Sequence, residues 1–138
     1  MVDTLTPQER SKRMSLIRSK DTSPELSIRR ALHALGLRYR LGNKHLPGKP
    51  DIAFPRQKVA IFVHGCFWHR HENCKVANMP KSNTAFWQEK FDRNVARDKR
   101  ATAQLEELGW RVETVWECEL GPRSVGQVAE RLARIVKP

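Results

Sequence analysis

The chain has 138 residues, 39% of them apolar and 30% charged, with a formal net charge of +11 and a pI near 10.2. That length and composition fit one folded domain and exclude a wholly disordered or fibrous protein. The longest unbroken apolar run, Val59 to Val63, is far short of the ~20 residues a membrane helix needs.

The first residues, MVDTLTPQER, lack the apolar core of a signal peptide, so a soluble intracellular protein is expected. The positive charge is uneven: residues 1–80 hold 15 basic and 6 acidic side chains, residues 81–138 hold 11 and 9. A basic first half points to a polyanion partner, most simply nucleic acid, bound with a steep salt dependence. The odd cysteine count (Cys66, Cys74 and Cys118) argues for metal ligands or free thiols rather than a disulfide framework.

Thr6-Pro7-Gln8-Glu9 is a capping box, which predicts a helix from 7 to about 18. Its surface is rich in Arg and Lys and its apolar stripe is poor, so it suits a DNA backbone better than a core. Ser23-Pro24-Glu25 opens a second helix, with Ile28, Ala31, Leu32 and Leu35 on one face and Gly36 as the stop. Leu37, Tyr39 and Leu41 alternate and predict a strand, and 42–50 reads as a loop. Strands are expected at Asp51–Phe54 and Lys58–His64, the second buried on both faces because its apolar run is continuous. Residues 65–84 are loop, 85–108 a long helix capped by Asn83 or Thr84, and Trp110–Trp116 a strand. Ser124 caps a last helix with Val125, Val128, Leu132 and Ile135 on one face. The helical crossover makes the strands at 58–64 and 110–116 parallel, while the first three strands lie close enough for antiparallel pairing. The fold class is therefore α/β, a mixed β-sheet flanked by helices.

Residues 64–74 hold two Cys and three of the five His. Cys66, His71 and Cys74 are spaced Cys-x4-His-x2-Cys, and a closed tetrahedral zinc site needs a fourth ligand. Cys118 lies just past the strand that should neighbour 58–64, so the topology delivers it there. The competing reading is three free thiols and a solvated histidine. His64 and His69 are left over, as catalytic groups or surface residues. Phe67-Trp68 and Phe86-Trp87 suit either stacking on bases or core packing. Asp51, an acid at a strand edge, has the layout of a magnesium site that cuts phosphodiesters, but the neighbouring strand lacks the usual second acid and lysine. By pattern it serves equally as a turn-capping acid.

These residues resemble the very-short-patch repair (Vsr) endonucleases. The resemblance is carried by RSKRMSLIRSKDT at 10–22, LPGKPDIAF at 46–54, VHGCFWHRH at 63–71, Phe86-Trp87 with Asn94 to Asp98, and GWRVETVWECEL at 109–120. It covers about 8–136. It implies a restriction-endonuclease-like fold in a single domain over 1–138, with 1–22 as a basic DNA-contacting arm and 23–138 as the catalytic core. The implied activity is Mg2+-dependent nicking 5′ to the T of a T:G mismatch left by deaminated 5-methylcytosine, giving a 3′-hydroxyl and a 5′-phosphate.

The resemblance also assigns the residues. Asp51 and the backbone carbonyl of Val63 match the Mg2+ site, which holds two ions; the family has Thr at the Val63 position. His64 and His69 match the active-site histidines, His69 as general base and His64 toward the phosphate. Glu25 matches an acid that reaches the metal through water, though a helix N-terminal acid is favoured by the dipole in any case. Cys66, His71, Cys74 and Cys118 match one structural Zn2+ site; some members have one residue fewer between the His and the Cys. Phe67, Trp68 and Trp87 match an aromatic wedge at the mismatch, and Met14 a minor-groove contact. Apart from the resemblance, Asp98 is expected to hold the His69 ring by accepting its second N–H. Implied partners are mismatched duplex DNA and mismatch-repair proteins, in the bacterial cytoplasm and at the nucleoid while acting; a monomer is expected because no apolar seam is spare. Two rivals stand beside this: a restriction-type or structure-specific nuclease of the same fold, and a non-catalytic zinc-stabilised DNA-binding protein.

Overall fold

A computed structural model describes residues 22–137. The basic helix expected at 7–18, with Met14, lies outside the described residues. The described elements are α1 (Ser23–Ala34), β1 (Ile52–Phe54), β2 (Val59–His64), α2 (Thr84–Glu107), β3 (Arg111–Trp116) and α3 (Val125–Val136), with a 3-10 turn at Glu117–Glu119 after β3.

The sheet has the order β1-β2-β3. β1 and β2 are antiparallel, with Ile52 opposite Ile61 and Phe54 opposite Val59. β2 and β3 are parallel, Val59 opposite Arg111 and His64 opposite Trp116, as the long crossover helix requires. Continuous apolar character does bury β2 on both faces. Toward α1 and α3, Val59 and Ile61 join Ile28, Leu32, Val128, Leu132 and Val136. Toward α2, Ala60 and Phe62 join Ala101 and Leu105. The sheet is thus the middle of three layers, and β2 is its centre.

Three expectations are corrected. The strand at Leu37–Leu41 shrinks to one antiparallel bridge, in which Arg40 and Ala53 exchange both backbone hydrogen bonds at 2.8 and 3.1 Å. Its would-be partner β1 is three residues long, and Gly36 and Gly42 turn the chain away at φ +82° and +70°. Alternation placed Leu37 and Tyr39 inward, but a strand also needs a ladder to join. Leu35 leaves the α1 stripe because it is the C-cap and lies 46% exposed. Neither Ser124 nor Asn83 caps with its side chain. The Ser124 hydroxyl instead donates to the Glu119 carbonyl at 2.6 Å, tying the 3-10 turn to α3.

The loop into β1 is held by Gly48. Its φ is +72°, and a Cβ there would lie 2.5 Å from the Ala101 Cβ. Gly48→Ala is expected to cost about 2–4 kcal/mol, from overpacking and left-handed strain together, read from urea unfolding.

Candidate active site and metal centre

The parallel register sets both centres. β2 ends at His64 and β3 at Trp116, side by side, so Cys66 and Cys118 each follow two residues past a paired end. Ligand atoms of Cys66, His71, Cys74 and Cys118 all lie within 4.8 Å of one another. His71 turns Nδ1 to the cluster, 3.6 Å from the Cys66 sulfur and 3.5 Å from that of Cys118. The loop reaches this shape through Arg70 and Asn73 in left-handed backbone, at φ 54° and 57°. Glu117 locks its root by accepting the Cys66 N–H at 2.9 Å.

All three cysteines are free. Burial pushes the Cys66 thiol up to about 12 and raises Cys118, whereas backbone N–H donation at Val76 lowers Cys74. Three sulfurs and one imidazole nitrogen converging on one point fit a tetrahedral zinc, whose charge would displace the thiol protons.

The aromatic residues form one cluster. Phe67 sits at its centre, 5.1 Å from both Trp68 and Phe91 and 5.9 Å from Trp87. Phe91 is buried, Phe67, Trp68 and Trp87 are half-buried, and Phe86 is 57% exposed at the outer end. The adjacent pair Phe86-Trp87 therefore splits, one outward and one packed. Arg70 holds the loop beneath them. Its guanidinium donates to the carbonyls of Phe67, Ala77 and Asn78 and lies 4.0 Å from the Phe91 ring centroid.

The histidine pair stands beside the metal cluster. His64 and His69 stack with centroids 3.8 Å apart and planes 4° from parallel. His69 Nδ1 lies 2.7 Å from Asp98 Oδ2. An ionised carboxylate only accepts, so Nδ1 carries the hydrogen and Nε2 is left as the basic nitrogen. Burial, with the neighbouring His69 charge, pushes His64 down to about 4, so its ring is neutral in neutral solution. A groove of about 710 Å³ opens on the α2 side, lined by His64, His69, Asp98, Lys99, Thr114 and Trp116 among others.

Asp51 lies just before β1, and its Oδ2 accepts the Val63 N–H at 2.7 Å. Because Ala53 spends its backbone groups on Arg40, Ile52 and Phe54 turn theirs toward β2. Val59, Ile61 and Val63 turn back to meet them. Continuing the register sets Val63 opposite Pro50, and proline has no N–H to give the Val63 carbonyl. The Asp51 carboxylate and the Val63 carbonyl are hard oxygen donors of the kind Mg2+ takes. The Val63 side chain packs into the α1–α3 core, so its identity bears little on that carbonyl. Burial, aided by the charge of Glu25, pushes Asp51 up to about 6 against the pull of the Val63 N–H, Arg29 and His69. Glu25 is itself buried and pairs with Arg29 at 3.0 Å.

Sequence reasoning missed Arg29, Arg70, Glu117 and Trp116. Arg29 had a signal, the i,i+4 spacing from Glu25 on one helix. The others act through contacts that only the register and the loop path create.

The sequence model of the family described as "DNA mismatch endonuclease Vsr" matches residues 2–75. The chain is 46% identical over 138 residues to "Type II nicking enzyme V.XorIIP" of Xanthomonas oryzae pv. oryzae, covering all of this chain and 99% of that one. It is 44% identical to "Type II nicking enzyme V.NmeAIP" of Neisseria meningitidis serogroup A, covering 99% and 96% of the two chains. It is 43% identical to "DNA mismatch endonuclease Vsr" of Escherichia coli K12, over 89% of this chain and 78% of that one.

Two measurements check the centres. Folding favours the protonated Asp51, so this carboxyl lowers stability above about pH 6 and not below its ordinary value of 3.8. Without magnesium at pH 8, Asp51→Asn is expected to gain about 2 kcal/mol in urea unfolding, a gain that closes as pH falls from 6 toward 4. Cys118→Ala is expected to lower zinc content and thermal stability, since structural zinc contributes on the order of 10 kcal/mol in small domains. Full zinc occupancy in that variant would remove Cys118 from the ligand set.

Proposed function

The chain belongs to the DNA mismatch endonuclease Vsr family, and on that premise we propose that it nicks one DNA strand 5′ to the T of a T:G mismatch. The products are a 3′-hydroxyl and a 5′-phosphate. The observation that carries the reading is the His69–Asp98 pair at 2.7 Å, an imidazole fixed as a base near the half-buried Asp51.

Each residue then has a task. Asp98 holds His69 Nδ1–H, so Nε2 takes the proton of the attacking water. His64, neutral and stacked on His69, donates one hydrogen bond toward the phosphate without adding charge. Glu25, held by Arg29, would reach the metal through water and adds negative charge near Asp51. Asp51 and the Val63 carbonyl would hold Mg2+, two ions in this reading, which when bound would polarise the phosphate and acidify a water. Phe67, Trp68 and Trp87 enter the duplex beside the mismatch, where unstacking costs least. Met14 and the 1–22 arm reach the minor groove, and the basic charge grips the backbone. The restriction-endonuclease-like fold over one domain, monomeric action in the bacterial cytoplasm and cooperation with mismatch-repair proteins belong to the same reading. No helix among the described residues is long and apolar enough to cross a membrane.

The test is nicking of T:G and matched duplexes in Mg2+. A single nick in the T strand is expected, with His69→Ala slower by roughly 10²–10⁴-fold at unchanged binding. Cutting of both strands of matched DNA would favour a restriction-type nuclease. Binding without cutting would favour a zinc-stabilised DNA-binding protein.

A further inference from the structure

Trp116 ends β3 directly beside His64 in the parallel register. Its indole lies flat against His71, centroids 4.2 Å apart and planes 8° from parallel. It also meets the His64 ring edge-on, at 5.3 Å and 72°. Among the described residues it is the one ring that touches both the metal cluster and the histidine pair. Its backbone is pinned as well, the Trp116 N–H donating to Glu119 Oε2 at 3.0 Å. Cys118 follows two residues later.

A histidine ring turns in a broad torsional well, so its plane is set by what surrounds it. His69 has Asp98 for that purpose. No hydrogen bond orients the His64 ring among the described residues; it has ring contacts with Phe62, His69 and Trp116. His71, by contrast, is fixed at its far side once its Nδ1 is a metal ligand.

The geometry points to Trp116 as a positioning residue that passes the fixed plane of metal-bound His71 to His64 and, through the stack, to His69. This rests on the nuclease reading for the use made of His64 and His69. The zinc would then shape the catalytic pair as well as pinning the loop.

The test compares zinc-loaded Trp116→Leu and Trp116→Phe. Leu keeps apolar bulk without a flat face. It is expected to retain zinc and KM for T:G duplex while kcat falls roughly ten- to a hundredfold. Phe restores a flat ring and is expected to recover most of kcat. Independently of nicking, the His64 and His69 ring-proton NMR signals should shift in the Leu variant and return toward their wild-type positions in the Phe variant. Unmoved ring signals, or unchanged kcat in the Leu variant with full zinc, would overturn the assignment. So would zinc loss in both variants, which would make Trp116 a wall of the metal centre alone. A wild-type protein that does not nick T:G duplex would sink the nuclease reading, while the ring signals would still decide the positioning claim.

Discussion

The pairing of β2 with β3 governs this molecule. Parallel strands end at the same edge, so one register places His64 beside Trp116 and sends the two following segments into one space. Cys66 and Cys118, far apart in sequence, meet for that reason alone. Because strand side chains alternate, a slip of one residue would turn Trp116 to the opposite face. The two-sided burial of β2 resists such a slip, since each face has its own helical cover. Packing energy and site geometry thus depend on the same register.

Electrostatics at the two ends of the site run in opposite directions. Burial raises Asp51 and lowers His64, in each case favouring the neutral form. A neutral imidazole is ready to work as a hydrogen-bond donor. An ionised Asp51 carries the cost of its desolvation. The site therefore carries an electrostatic cost whenever Asp51 is ionised, which is common where function competes with stability.

The sequence was legible where its signals were local. Cys66, His71 and Cys74 sit within nine residues, and their spacing can be read without a fold. The continuous run of β2 announced two-sided burial, and the long helix announced parallel strands, which was enough to bring Cys118 to the cluster. The Asp98 contact to His69 was anticipated and is present at 2.7 Å. The alternation of Leu37, Tyr39 and Leu41 misled because a strand needs a partner with free backbone groups, and β1 is too short to supply them. Arg70 and Trp116 carried no signal, since one works through loop carbonyls and the other through rings on two other segments.

The uneven acidity of the three sulfurs has a chemical consequence. Thiolates, not thiols, react with oxidants and electrophiles. Cys66, the innermost sulfur, is pushed up to about 12 and so stays protonated and inert in an unloaded chain. Cys74, on the outer loop and shifted down, is the sulfur most ready to lose its proton. An electrophile or oxidant reaching the unloaded cluster is therefore expected to modify Cys74 before the buried Cys66.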